Sequence, residues 1–264
     1  MAIVTLTTEW KPDDIYPGII KGKLCTLCPG TQIIDNAHGI PPFNIAHASF
    51  IIRNTYSNYP EGSVHIICVH SEAAKGQNYL IVKARGHIFI GTDNGIFNLI
   101  LNSEPDEIIK IETEGISDEL EIFAKTAAAI VMGEKPSQLG TRLGALNEMF
   151  PLRATIEKNV IIGSIIFIDS YGNAISNITR DVFFRVFENR EYRIMMQSTR
   201  NYTTSLSVNY NDVSNNTLLA RFNRLDLLEI SINGADVCEV LSIEIGSVIL
   251  IESKIKIAAN NQLF

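Results

Sequence analysis

The segment AIVTLTTEWKPDDIYPGIIKGKLCTL, Ala2–Leu27, reads as one strand, one polar loop and one helix in succession. Apolar and β-branched residues fill Ala2–Thr7, the composition of a buried strand. Helical spacing runs over Tyr16–Leu27 and is stopped by Pro29-Gly30, with Asp13 and Asp14 at the position of an N-cap. This spacing puts Cys25 on the apolar face of the helix, where packing is its expected role. The alternation continues. Gln32–Asp35 reads as a short strand and Pro42–Tyr56 as an amphipathic helix begun at Pro41-Pro42. Val64–His70, Tyr79–Ala84 and His87–Gly91 read as strands, followed by the apolar run Ile96–Leu101. Glu119–Met132 is Ala-rich and helical.

The pattern changes across Gln138–Pro151. Beyond it come short β-rich runs with turns between them: Val160–Asp169, Glu191–Met196, Ser205–Val208, Leu227–Ile232 and Ser247–Ile251. The chain is therefore expected to hold two domains. Residues 1–150 form an α/β domain, a mixed sheet flanked by helices. Residues 151–264 form an all-β barrel domain.

The 264 residues are 46% hydrophobic with a formal net charge of -7, and the basic residues are scattered singly. That balance argues against a nucleic-acid partner. No run approaches the ~18 apolar residues of a membrane span. The first ten residues lack the basic start of a secretory signal, so the expected location is cytoplasmic. Cys25 and Cys28 have no second pair to complete a four-ligand zinc site, and no metal is expected. No GxGxxG joins a strand to a helix, which sets aside a nicotinamide enzyme.

Three loops concentrate polar chemistry at strand ends, where side chains face a crevice rather than a core. In the first, Glu9 ends a strand and can accept two hydrogen bonds from a vicinal diol. In the second, Asp93-Asn94-Gly95 is a turn signal that also offers a carboxylate and an amide. In the third, Asp169, Asn173 and Asn177 surround Gly172. The segment Asp35–Ile45 (DNAHGIPPFNI) adds Asp35 and His38 at a strand end, and Phe43 as an aromatic wall suited to a purine. His47, His65 and His87 have no constellation around them and are assigned no role.

Taken in order, TLTTEW, DNAHGIPPFNI, PEGSVHIICV, GTDNGIF, IFAKTAAA, FIDSYGNAISNI and LLEISINGA resemble the S-adenosylmethionine hydroxide adenosyltransferases, the family that includes the adenosyl-fluorinases and chlorinases. The resemblance covers nearly the whole chain. It implies a homotrimer whose N-terminal domain binds S-adenosylmethionine against the C-terminal domain of a neighbouring subunit. It implies hydrolysis to adenosine and methionine by attack of water or hydroxide at ribose C5′, with no cofactor. By position, Glu9 stands where the family has an aspartate on the ribose hydroxyls, and Phe43 where an aromatic packs on the nucleoside. Asp169 matches the acid for the methionine amino group, and Asn173 the amide for adenine. Asp93, Asn94 and Glu229 are placed with them as substrate-binding residues.

The resemblance breaks at the catalytic positions. The hydrolases carry Asp, Arg and His where this chain has His70, Gln77 and Asp118. His70 and Asp118 can be an exchanged His–carboxylate pair, since an imidazole is a better base at neutral pH than a carboxylate. Alternatively the pocket binds S-adenosylmethionine or adenosine without turnover. Asp118 also falls in SDELE, where Ser117 would cap a helix and the acids fill its first turn. Just before Leu228-Glu229, Arg224 and Asp226 replace the small residues of the family.

Overall fold

The computed structural model describes residues 2–101, 103–113, 115–188 and 190–253. The chain divides into two compact units, the first ending at Pro151 and the second starting at Leu152.

In the first unit the elements run β1 (Ile3–Thr8), α1 (Ile15–Leu27), β2 (Gln32–Ala37), α2 (Ile45–Thr55), β3 (Val64–Cys68), β4 (Tyr79–Ala84), β5 (His87–Thr92), α3 (Ile96–Leu101), β6 (Glu107–Ile111), α4 (Glu119–Val131) and β7 (Gly140–Arg142). They build one mixed sheet of order β2-β1-β3-β5-β4-β6-β7. The β2-β1-β3-β5 section is parallel, and the remaining pairings are antiparallel. Side-chain alternation along β3 explains the layering. Val64, Ile66 and Cys68 pack with α1 and α4, whereas Ile67 packs with α2 and α3 on the other face. Covered on both faces, β1 and β3 are buried along nearly their whole length, so that even their polar residues Thr5, Thr7 and His65 are inside.

Chain order and sheet order reverse at β1. The chain passes from β1 to β2 on one side, then returns to β3 on the other. The crevice at the carboxyl ends of β1 and β3 is therefore the topological switch point, where open α/β sheets hold ligands. Glu9 and His70 follow the ends of these two strands.

The second unit contains β8 (Thr155–Glu157), β9 (Val160–Ile168), β10 (Ala174–Thr179), α5 (Arg180–Phe187), β11 (Tyr192–Met196), β12 (Ser198–Thr203), β13 (Leu218–Phe222), β14 (Leu227–Ile232), α6 (Val237–Leu241) and β15 (Val248–Ser253). Its antiparallel sheet has the order β12-β11-β15-β9-β10-β14-β13, with β8 also on β9, and curls into a nearly closed barrel. Phe183 and Phe187 of α5 pack into its core against Tyr192 and Phe222.

Several sequence expectations need correction. The second helix starts at Ile45, not at the prolines, because the Asn44 side chain accepts the His47 N–H and caps it there. Cys25 is exposed, since the buried face of α1 runs through Pro17, Ile20 and Leu24 and on to Cys28. Ser205–Val208 is not a strand; it holds only an isolated bridge from Leu206 to Ala220. Among the described residues no helix is long and apolar enough to cross a membrane.

Candidate functional site

At the switch point the Glu9 carboxylate spans the crevice. Its Oε2 accepts the Phe43 N–H at 2.5 Å and its Oε1 accepts the His70 N–H at 3.1 Å. Both partners have left-handed backbones, with φ of 62° at Phe43 and 48° at His70. Such conformations cost about 1–3 kcal/mol in a non-glycine residue and persist only where the surroundings impose them. Glu9 is part of that imposition. The Glu9 N–H in turn donates to the Cys68 carbonyl at 3.0 Å, which ties β1 to the end of β3.

Asn94 holds His70 from the other side. Its Nδ2 donates to the His70 carbonyl at 3.0 Å and to the Val69 carbonyl at 3.2 Å. Asp93 is buried and accepts the Asn147 N–H at 3.0 Å. Burial pushes its carboxyl up from the ordinary value, and the Asn147 bond offsets part of that shift. Asp93 and Asn94 thus support the crevice wall rather than lining it.

The crevice opens as a cavity of about 460 Å³ lined by Glu9, Trp10, Tyr16, Phe43, His70 and Glu119, together with the 71–74 loop. Trp10 packs on Tyr16 with ring centroids 5.4 Å apart, and Phe43 meets His70 edge-on at 5.3 Å. The cavity wall therefore offers flat apolar faces beside three carboxylates, those of Glu9, Glu72 and Glu119.

Asp118 and Gln77 are not among the lining residues. Asp118, rather than Ser117, is the N-cap of α4: its carboxylate accepts the Leu120 N–H at 3.0 Å and lies 4.0 Å from Lys23. Gln77 closes the 74–77 turn by accepting the Ala74 N–H at 2.9 Å. The acid that α4 presents to the cavity is Glu119, one residue further on. The sequence reading missed it, although a second acid in the first turn was visible.

The second unit has its own cavity, about 650 Å³, lined by Tyr171, Asn173, Tyr210 and the 232–236 segment. Asp169 stands behind it. Its Oδ1 accepts the N–H groups of Tyr171 and Asn173, both at 2.9 Å, and its Oδ2 accepts Asn173 Nδ2 at 2.9 Å. Gly172, at φ 77°, lets this turn pass the Asp236 carboxylate; an added Cβ would come within 1.9 Å of Asp236 Cγ. Glu229 is 4% exposed and accepts the Tyr210 hydroxyl at 2.8 Å. Burial, reinforced by Glu229, pushes the Tyr210 phenol up to about 12. Arg224 and Asp226 occupy the turn between β13 and β14, at the opposite end of β14 from the cavity segment, and Asp226 pairs with Arg180 at 2.8 Å.

Comparison with known proteins matches residues 4–140 to the SAM hydroxide adenosyltransferase N-terminal domain and residues 163–250 to the C-terminal domain of the same family, where SAM is S-adenosylmethionine. The chain belongs to the SAM hydroxide adenosyltransferase family. A protein of Methanocaldococcus jannaschii named (R)-S-adenosyl-L-methionine hydrolase is 28% identical over 193 residues, covering 70% of this chain and 71% of that protein. A Thermus thermophilus protein of the same name is 23% identical over 263 residues, covering 93% and 98%. The crystal structure of an uncharacterized conserved protein from Thermotoga maritima superposes with a TM-score of 0.82 at 25% identity, covering 95% of this chain and 99% of the other. Within the SAM hydroxide adenosyltransferase fold, this member has Glu9, His70 and Glu119 around its first-unit cavity. Among its described residues no group of three or more His, Cys, Asp and Glu is placed to hold a metal ion.

The Glu9 bracket has a measurable consequence. Glu9→Gln keeps the length of the side chain but turns an NH₂ group toward one of the two N–H donors. A lost acceptor of this kind costs about 1–3 kcal/mol. Urea unfolding at neutral pH is expected to show that loss, whereas an unchanged midpoint would mean that Phe43 and His70 are held by other contacts.

Proposed function

We propose that the protein hydrolyses S-adenosylmethionine to adenosine and methionine. The observation that carries this reading is the Glu9 carboxylate at the switch point with His70 beside it. The two relatives named as (R)-S-adenosyl-L-methionine hydrolases support it. Each Glu9 oxygen already accepts one backbone N–H and keeps acceptor capacity for a ribose hydroxyl. Phe43 and Trp10 supply faces for the nucleoside, and the three carboxylates favour a sulfonium cation over a neutral thioether.

In the step proposed, a water oxygen attacks C5′ in line with the C5′–S bond. The breaking bond leaves its electron pair on sulfur, which becomes the neutral thioether of methionine. The water proton passes to the His70 imidazole and then to solvent. Glu119, not Asp118, is the carboxylate assigned to stabilise the imidazolium. Asp169 is assigned to the methionine amino group, Asn173 to adenine, and the assembly to a homotrimer, which light scattering in solution checks directly.

Turnover in water enriched in oxygen-18 tests the reaction. The label is expected in the 5′-hydroxyl of adenosine and nowhere in methionine. A second reading, binding without turnover, draws on the absence of Gln77 and Asp118 from the cavity lining. Retention of S-adenosylmethionine with no adenosine formed would establish it.

A further inference from the structure

The strand end that carries Glu9 is not fixed by the sheet ladder alone. The β1–β2 register slips between Leu6 and Thr7, just before the site begins. A chain of side chains takes over where the ladder becomes irregular. The fully buried Thr8 hydroxyl lies 2.7 Å from His38 Nδ1. The His38 side chain is 7% exposed, and its Nε2 makes a bent contact with Asp35 Oδ1 at 3.0 Å. Asp35 Oδ2 accepts Lys21 Nζ of α1 at 2.7 Å. Main-chain bonds run alongside: the Gly39 N–H donates to the Trp10 carbonyl at 2.7 Å and the Ile40 N–H to the Thr8 carbonyl at 3.3 Å.

We propose that His38 is a positioning residue for the crevice: through Thr8 on one side and Asp35–Lys21 on the other, it sets where Glu9 and Trp10 stand.

The Asp35 carboxylate favours one direction for the Thr8–His38 bond. Burial pushes the Asp35 carboxyl up, but Lys21 and His38 together outweigh it and bring the net shift down, so Asp35 is an acceptor. With a proton on Nε2, on the side of Asp35, the His38 ring offers Nδ1 as the acceptor for the Thr8 hydroxyl. The Thr8 hydroxyl has a single proton and spends it on His38. The Trp10 carbonyl, 3.4 Å from the same hydroxyl, is left to the Gly39 N–H. Thr8 and Trp10, the residues on either side of Glu9, are thus tied to His38, Gly39 and Ile40, just beyond the end of β2. Glu9 in turn brackets Phe43 and His70. A rotation at Thr8 would therefore be felt across the whole crevice.

Two readouts test this, and only one rests on the proposed nucleoside site. Trp10 is the single tryptophan of the chain and lines the cavity, so its emission reports its placement without any ligand. His38→Leu and Thr8→Val are both expected to shift that emission. They are also expected to raise KM for S-adenosylmethionine about tenfold or more, with kcat within about threefold. His38→Asn places an amide oxygen near the position of Nδ1, keeps the Thr8 bond, and is expected to restore most of the wild-type signal. Should His38→Leu fail to fold, Thr8→Val carries the test. Unchanged Trp10 emission and unchanged KM in folded His38→Leu or Thr8→Val would overturn the proposal, as would an equal effect of His38→Asn and His38→Leu. If wild-type protein neither binds adenosine nor turns over, the functional reading fails and the Trp10 emission alone decides the role of His38.

Discussion

His70→Asn is expected to lower the rate of adenosine formation at saturating S-adenosylmethionine by about 10²–10⁴-fold, the usual worth of a general base. Adenosine affinity is expected to change by less than about threefold, because the imidazole is assigned to the attacking water and not to the nucleoside. Asparagine is the informative replacement. The backbone at His70 has φ 48°, and asparagine tolerates that left-handed conformation better than other non-glycine residues. The Glu9 and Asn94 bonds reach only the main chain of His70, so both survive the substitution. Loss of turnover with binding retained assigns the proton transfer to the imidazole. Equal rates in the two proteins would remove His70 from the chemistry.

The same measurement separates the two acids at the start of α4. Glu119→Gln is expected to lower kcat at unchanged stability, because Glu119 lines the cavity. Asp118→Asn is expected to be nearly silent, because asparagine caps a helix about as well as aspartate. The reverse pattern would return the role to Asp118.

The parallel strands and their polar ends were legible because an apolar, β-branched run that stops abruptly at carboxylates and amides fits a buried strand opening onto a crevice. Glu9, His38, His70 and Asp93 could be placed just past strand ends from the sequence pattern, whereas Asp35, read as the last residue of its strand, lies inside β2, which continues to Ala37 opposite Thr7. Identifying the acid that reaches the cavity was harder. Serine and aspartate are both good caps, so SDELE is compatible with a helix starting at either residue. The backbone decides it: Asp118 keeps an extended conformation with ψ 110° and its side chain turns back onto Leu120, leaving Glu119 as the first helical residue. Helix α5 (RDVFFRVF) escaped for a different reason. Its aromatic and β-branched residues favour strands, and burial of Phe183, Val186 and Phe187 in the barrel overrides that preference. The buried histidine pair was invisible because His65 and His87 are 22 residues apart and meet only through the parallel pairing of β3 with β5.

That pair gives the second large expectation: acid should destabilise the first unit well above the pH at which its carboxylates titrate. His65 Nδ1 lies 2.8 Å from the Thr5 hydroxyl, and its Nε2 lies 3.1 Å from His87 Nδ1. Burial, with repulsion from His87 added, lowers the His65 pKa to about 3. Burial also lowers His87, with Glu61 opposing part of that shift. In the unfolded chain a histidine titrates near ~6.5. Between these values the unfolded state holds a proton that the folded state refuses, so stability falls as pH falls. The slope for His65 reaches about 1.4 kcal/mol per pH unit, and the loss from pH 7 to pH 5 comes to about 2 kcal/mol. Urea unfolding at the two pH values measures it, and His65→Gln isolates it. The variant starts lower at pH 7, having disturbed the bonds to Thr5 and His87, but its stability should depend less on pH by about that amount. Parallel losses in both proteins would assign the acid sensitivity to other groups. Because His65 links β3 to β1 through Thr5 and to β5 through His87, and β1 and β3 lead into Glu9 and His70, binding at the crevice should fail over the same pH range as the sheet beneath it.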